Sequence, residues 1–111
     1  MKHRVRERRG SIVVALEGDI DLEGSPAARK VLLEAVGLGQ PVYVDLSGVS
    51  YIDSSGIASL VEALQRARQG GTGFALASVS DAARRVLELA RLDRVFIIHA
   101  NLDDVLSGTG G

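Results

Sequence analysis

Short runs of β-forming apolar residues alternate along this chain with longer segments in which apolar residues recur at helical spacing. The β-forming runs occupy residues 11–16, 41–46, 74–77 and 95–98. After the first run, each intervening segment is long enough for a helix of about ten residues or more, the crossover length that parallel strands require. The alternation therefore predicts an α/β domain built on a largely parallel sheet.

The beginning of the chain predicts a hairpin followed by a helix. Residues 4–8 alternate weakly, and Arg9-Gly10 predicts a tight turn that pairs them antiparallel with the next run. Ser25 followed by Pro26 is typical of a helix start, with a capping hydroxyl before a proline in the first turn. The hairpin would add an antiparallel edge to the sheet.

Three further helices are expected. One spans about residues 55–69, and the next begins after a cap at Ser80. Asn101 predicts a short last helix over residues 102–106. The fold class is therefore α/β, a mixed, mainly parallel sheet of four to five strands with about four helices in the order β-β-α-β-α-β-α-β-α. One domain is expected over residues 1–107, followed by a disordered tail over 108–111.

Composition argues against several classes of protein. The formal net charge of −1 lacks the basic excess that is typical of nucleic-acid binders. No apolar run approaches the roughly 20 residues of a membrane span, and the basic residues 1–9 are not followed by the apolar core of a signal peptide. There is no cysteine, which excludes disulfides and thiolate chemistry. A cytoplasmic protein that neither inserts into a membrane nor binds nucleic acid directly is expected.

Signatures of metal, cofactor and catalytic sites are missing from the sequence. His3 and His99 lie far apart, with no acidic residue or second histidine at ligand spacing, so neither a metal nor a cofactor is expected. A hydrolase with a serine nucleophile would carry a Gly-x-Ser-x-Gly elbow, and a nucleotide enzyme a glycine-rich phosphate loop. The chain has neither motif and is not expected to be an enzyme.

The most informative segment is Asp53-Ser54-Ser55-Gly56, which follows a β-forming run and opens the second predicted helix. Unpaired N–H groups at a helix N-terminus attract anions. A serine placed there caps the helix, holds a phosphate or carries one covalently. Capping is the commonest of these roles, and the residue types alone leave all three open.

The order of elements and two motifs resemble the STAS domain, and within it the bacterial anti-sigma-factor antagonists. The motifs are Gly18-Asp-Ile-Asp21 after an early strand and residues 44–56, which end in Asp-Ser-Ser-Gly. The resemblance covers nearly the whole chain, roughly residues 5–106. It implies a STAS-type fold.

The resemblance also implies partner switching. An unphosphorylated antagonist binds an anti-sigma factor that is itself a serine kinase, and so frees a sigma factor. Phosphorylation of the antagonist separates the complex, and a phosphatase resets it. The phosphoacceptor of the family falls on Ser54 in this chain. Ser55 is then the expected helix cap, and Gly56 would permit close approach of backbone or partner.

Acidic residues near the phosphoacceptor are candidates for lining the partner surface. Asp21 falls on the acidic residue that the family places beside the serine, Asp53 directly precedes that serine, and Asp19 adds to the negative charge. Simpler interpretations stay open for all three. Asp53 could stabilise the turn by accepting backbone N–H bonds, and Asp19 and Asp21 could be solvated turn residues.

A different binding role on the same fold also stays open. Free-standing STAS domains serve as cytoplasmic subunits of lipid-transporting ABC systems, and fold alone does not separate the two roles. The complete Asp-Ser-Ser-Gly motif favours the antagonist. Residues 22–26 depart from the usual family pattern in a loop that normally lines the partner surface. The identity of the kinase, the sigma factor and the oligomeric state are left open.

Overall fold

Residues 1–107 are described by the computed structural model, and they form five strands and four helices in the predicted order. The strands are β1 (Lys2–Arg8), β2 (Ser11–Ile20), β3 (Val42–Ile52), β4 (Phe74–Ala77) and β5 (Ile97–His99). The helices are α1 (Ser25–Val36), α2 (Ser54–Gly70), α3 (Asp81–Leu89) and α4 (Leu102–Leu106). The tail predicted over residues 108–111 lies outside the described residues.

The five strands form one sheet in the order β1-β2-β3-β4-β5. β1 runs antiparallel to β2, and the other neighbouring strands are parallel. The hairpin turns at Arg9 and Gly10, whose φ angles of 52° and 80° are both left-handed. This is the geometry of a two-residue turn that matches the twist of the strands. The mixed, mainly parallel sheet is confirmed, with the hairpin as its antiparallel edge.

The two faces of the sheet are covered to different extents. Val14 and Leu16 of β2 belong to the main core, which the sheet shares with α1, α2 and α3. Val13 points the other way, into a small cluster with Ala77 and with Leu102 of α4. Because α4 is only five residues long, this second face is covered much less than the first.

Strands β2 and β3 continue past the ends that the sequence predicted. They pair as far as Ile20 and Ile52, so residues 47–52, which lie beyond the β-forming run predicted over 41–46, belong to a strand. Two register shifts put extra residues on β3. A Cβ at Gly48 would lie 2.7 Å from Cγ of Glu17, so a larger residue at this bulge would have to displace the Glu17 side chain. The bulges break the period-2 alternation that reveals a strand in a sequence.

Two other boundaries differ from those predicted. Gly24, not Ser25, stands at the N-cap of α1, and no side chain caps this helix. Ser25 is buried instead, and its carbonyl oxygen accepts a hydrogen bond from the Ser59 hydroxyl of α2 over 3.4 Å. The last strand begins at Ile97 because a 3-10 turn at Leu92–Arg94 comes shortly before it.

Candidate functional site

The candidate site lies where the extended strands β2 and β3 end side by side. Ile20 and Ile52 are paired neighbours, and the N–H of Asp53 donates to the carbonyl oxygen of Ile20 over 3.3 Å. Asp21 and Asp53 therefore leave adjacent strand ends, the edge at which parallel sheets commonly place functional groups. Helix α2 begins at the next residue, Ser54.

The side chain of Asp53 is the N-cap of α2. Its Oδ1 accepts hydrogen bonds from the backbone N–H groups of Ser55 (2.9 Å) and Gly56 (3.3 Å), and from the Ser55 hydroxyl over 2.5 Å. These hydrogen bonds lower the pKa of Asp53 because they favour the charged carboxylate, and the bond from the Ser55 hydroxyl contributes most. Burial acts in the opposite direction. The expected cap at Ser55 is therefore wrong. Asp53 caps the helix, as its simpler interpretation held, and Ser55 supports that cap.

Ser54 is the residue that this arrangement leaves unengaged. It is exposed at the first position of α2, and its hydroxyl forms no hydrogen bond within residues 1–107. The hydroxyl of Ser55, by contrast, belongs to a half-buried residue and is bonded to Asp53. Of the two hydroxyls in the motif, the one on Ser54 is accessible to a second molecule.

Gly56 determines how closely α2 approaches the strand ends. It is buried, and a Cβ built on it would lie 2.7 Å from the carbonyl oxygen of Ile20 and 2.7 Å from Cγ1 of Ile52. A substituted residue could not keep this contact without displacing the backbone. The expected close approach at Gly56 is thus one of helix against strands, and it fixes the position of Ser54 relative to the sheet.

The two acids near the end of β2 are held by local hydrogen bonds. Oδ1 of Asp21 accepts from the N–H groups of Glu23 (3.1 Å) and Gly24 (2.9 Å), which organises the loop that leads into α1. Asp19 is exposed and accepts from the Ser50 hydroxyl over 2.9 Å. Neither acid is only a solvated turn residue: Asp19 belongs to β2, and Asp21 holds the loop that follows it. Both still place negative charge at the end of β2.

A groove of about 590 Å³ runs between α2 and α3 and begins at Ser54. Most of its lining is apolar, formed by Ser54, Ile57, Ala58, Val61, Glu62, Gln65, Val86 and Ala90. Glu62 is held by Arg29 of α1 through two hydrogen bonds of 2.7 and 2.8 Å, which lower the pKa of Glu62. Sequence reasoning missed this groove. Its signal in the sequence was the small size of Ala58 on α2 and of Ala90 directly after α3, both of which are exposed.

Two large apolar side chains are exposed near the strand ends. Leu22 is 75% exposed directly after Asp21, and Tyr51 is 51% exposed two residues before Asp53. The backbone N–H of Leu22 also helps to lower the pKa of Asp53, so this loop lies against the start of α2. Leu22 falls in the segment that departs from the family pattern, and that departure was the only signal for it in the sequence.

His99, considered above as a possible metal ligand, lies away from this site. The ring of His99 packs edge-on against Tyr43, with ring centres 5.9 Å apart, and Tyr43 packs on the cluster that contains Leu102 of α4. Within residues 1–107, no group of three or more histidine or acidic side chains could hold a metal ion. None of the helices described here is long and apolar enough to cross a membrane. The site offers a hydroxyl, carboxylates and an apolar groove.

Comparison with known proteins identifies the family. The sequence matches the STAS domain over residues 2–105. The chain belongs to the STAS domain family. The anti-sigma-F factor antagonist RsfB of Mycobacterium tuberculosis is 29% identical over 108 residues, which cover 96% of this chain and 88% of that protein.

Solved structures of STAS domains confirm the predicted fold. An anti-sigma factor antagonist from Mycobacterium paratuberculosis superposes with a TM-score of 0.87 at 29% identity, covering 99% of this chain and 94% of that one. The Bacillus protein SpoIIAA, at 17% identity, gives TM-scores of 0.79 in its unphosphorylated form and 0.75 in its phosphorylated form. Those two structures cover 99% and 97% of this chain and 97% and 99% of their own, and at this identity they show the fold alone.

Proposed function

We propose that this chain is an anti-sigma-factor antagonist that binds an anti-sigma-factor serine kinase while Ser54 is unmodified and releases it once Ser54 is phosphorylated. The chain itself catalyses no reaction in this role. The kinase transfers the terminal phosphoryl group of ATP to the Ser54 hydroxyl, leaving ADP, and a phosphatase hydrolyses the phosphoserine. The antagonist relatives support the class of partner.

The observation that carries this proposal is the division of roles among three consecutive residues. Asp53 caps α2, Ser55 donates its hydroxyl to that cap, and Ser54 is exposed with no hydrogen bond of its side chain in the described part of the chain. A serine needed for helix stability would use its oxygen as a cap. Because Ser54 does not cap the helix, its hydroxyl can be modified while the cap stays intact.

A phosphate on Ser54 would alter the surface more than the fold. It adds about −1.5 to −2 charges at neutral pH, and the N-terminus of α2 tolerates negative charge. Asp53 next to it, with Asp19 and Asp21 at the neighbouring strand end, already makes this surface acidic. A partner that contacts the neutral hydroxyl would meet both bulk and repulsion, and each ~1.4 kcal/mol lost at the interface weakens binding about tenfold.

The surroundings of Ser54 support a protein contact of this kind. Ser54 borders the groove between α2 and α3, and the exposed Leu22 belongs to the loop that lies against the same helix start. A partner that covers the groove and this loop would enclose Ser54. One phosphate at such a central position disturbs an interface more than one at its polar rim.

The experiment that tests the proposal is intact-mass spectrometry with site mapping on the protein isolated from its native cells. A single added phosphate on Ser54, removed by phosphatase, is the expected result. Ser54→Ala should abolish the modification, whereas the matched control Ser55→Ala should retain it. Phosphate that maps to Ser55, or a Ser54 that stays unmodified across growth and stress conditions, would contradict the switch and favour a constitutive subunit of a lipid-transporting ABC system.

Binding to the kinase provides a second measurement. Isothermal titration calorimetry with a serine kinase encoded beside this protein should show a complex with the parent chain and with Ser55→Ala. Ser54→Asp should lose that complex while its circular dichroism spectrum stays unchanged. Equal affinity of Ser54→Asp and the parent would overturn the release step even if Ser54 is phosphorylated in cells.

A further inference from the structure

Strand β1 carries a stripe of cations along the edge of the sheet. All seven of its residues are exposed, and Lys2, Arg4, Arg6 and Arg8 alternate along it. Arg6 pairs with Val13 of β2, whose side chain joins the cluster under α4. Because side chains two residues apart share a face, all four cations project from the less covered face of the sheet.

Ion pairs offset little of the charge of this stripe, although Asp45 of β3 lines a small cavity together with Arg4 and Arg6 on the same face. Arg4 contacts Glu17 over 3.4 Å, with the two side chains 80% and 45% exposed, and such exposed pairs contribute little. Lys2, Arg6 and Arg8 form no ion pair within residues 1–107. The chain as a whole has a formal charge of −1, so the stripe is a local feature and does not reflect a basic protein.

The outer side of β1 is also an unpaired strand edge. β1 is the first strand of the sheet, and no other strand of the described chain pairs with its outer side. A free edge presents N–H and C=O groups to any added strand. A second copy of β1 is disfavoured, because antiparallel pairing about Val5 would set Arg4 against Arg6 and Lys2 against Arg8, and like charges opposite each other are destabilising.

We propose that β1 binds an extended segment of a partner protein, with acidic side chains at alternate positions, as a sixth strand of the sheet. Main-chain hydrogen bonds to the free edge would supply affinity, and carboxylates facing the cation stripe would supply selectivity. A cavity of about 380 Å³ lined by Met1, Lys2, His3, Arg4 and Glu17 gives room for side chains at one end of the added strand. An anionic membrane would be attracted by the cations but would form no hydrogen bonds with the strand edge. An acidic peptide accounts for both the cation stripe and the unpaired edge.

Fluorescence anisotropy with labelled seven-residue peptides tests this inference on the full chain. The probe has glutamate at every second position, with threonine or valine between. One control peptide has the same sequence with alternate backbone nitrogens methylated, and another replaces the glutamates by glutamine. The parent should bind the unmodified probe, and either control peptide should bind about tenfold more weakly or worse, since each removes hydrogen bonds or charge pairing.

Protein variants test whether probe binding depends on the cations of β1 or on the overall charge of the protein. Arg4→Glu combined with Arg6→Glu should weaken probe binding by about tenfold or more, and the milder pair Arg4→Gln and Arg6→Gln should do so to a smaller extent. The matched control, Arg84→Glu with Arg85→Glu on α3, makes the same change of charge elsewhere and should leave affinity within about twofold, apart from the weak effect of screened distant charge. Circular dichroism checks that each variant is folded.

Three outcomes would overturn the proposal. One is equal binding of the methylated and unmodified probes, which would reduce the effect to charge attraction. Another is equal loss in the α3 control. The third is binding to phosphatidylglycerol-containing vesicles, lost with the β1 variants, while no peptide binds, which would assign the stripe to a membrane surface.

Discussion

Helices α2 and α3 begin in similar ways but use their serines differently. Each follows a parallel strand of the same sheet and opens at a capped turn. At α3 the capping residue is Ser80, whose Oγ accepts from the N–H of Ala83 over 3.2 Å and donates to the carbonyl oxygen of Val49 over 2.7 Å. At α2 the carboxylate of Asp53 does the capping, and Ser54 one position later has no such task.

The two helices also differ at the third residue after the cap. It is the buried Ala83 in α3, whereas in α2 it is Gly56, where a Cβ would lie 2.7 Å from two different atoms of the strand ends. Helix α2 is thus set against β2 and β3 more closely than a side chain would allow. The Ser80 hydroxyl is occupied by hydrogen bonds that stabilise the fold. The Ser54 hydroxyl is not, because Asp53 caps α2.

The largest effect on stability is expected from Gly56→Ala. The added methyl group has no free space, and inserting a methyl group into a packed position costs about 1–3 kcal/mol, occasionally more. Urea unfolding of Gly70→Ala, near the other end of α2, is the matched control. A Cβ there meets nothing within 4 Å, so that change should be neutral or stabilise by about 0.4–1 kcal/mol. Equal midpoints for the two variants would show that α2 can move off the strands.

A smaller loss is expected from Ser80→Ala. It removes a helix cap, typically about 1 kcal/mol, and a hydrogen bond to Val49, about 0.5–1.5 kcal/mol. The free energy of unfolding should therefore fall by about 1.5–2.5 kcal/mol in urea titrations. Ser54→Ala is the paired measurement and should stay within about 0.5 kcal/mol of the parent. The comparison of the two helix starts fails if both substitutions cost the same.

Asp53→Asn should have a smaller, pH-dependent effect, because asparagine is also a good cap. The lowered pKa of Asp53 means that its charged form stabilises the folded state. That stabilisation is present above the ordinary value of 3.8 and is lost as pH falls through the still lower folded value. Parent and variant should therefore differ near neutral pH and converge in acid when unfolding is followed across a pH series.

Ser55→Ala tests the cause of that lowered pKa. The Ser55 hydroxyl is the largest contribution to it, so its removal should shrink the pH-dependent effect of the Asp53→Asn substitution on the free energy of unfolding. The measurement is the same pH series, run on Ser55→Ala with and without Asp53→Asn. An effect of Asp53→Asn that is constant down to acid pH would mean that the charge of the carboxylate does not hold the start of α2.

Most of the fold could be predicted because its elements follow local rules. The β4 run is apolar throughout and the Asn101 cap opens α4, and the structure places both at the expected residues. The end of β3 could not be predicted in this way. Its bulges separate the buried Val49 and Ile52 by three residues, and this spacing resembles neither a strand nor a turn. Pairing with β2, a long-range contact, makes it a strand.

The candidate site was predictable in its location but not in its internal roles. Ser54 was singled out by resemblance, and the order strand, turn, helix placed it at a helix start. Which of Asp53 and Ser55 would cap α2 depended on backbone angles at Asp53, which no pattern of residue types contains. The groove beside Ser54 depends on how α2 and α3 sit relative to each other, and that is set by packing over the whole sheet.

Ser54→Asp should have the smallest effect on stability. A carboxylate in the first turn of a helix gains about 0.3–1 kcal/mol from the helix dipole, and the neighbouring charge of Asp53 offsets this gain. The net change should lie within about 0.5 kcal/mol. The same substitution at the other helix start, Ser80→Asp, should be clearly destabilising, because a carboxylate cannot donate to the Val49 carbonyl and would repel its oxygen across the 2.7 Å contact. Equal losses in the free energy of unfolding in urea would mean that Ser54 supports the fold as Ser80 does. Ser54 could then not be phosphorylated without destabilising the start of α2.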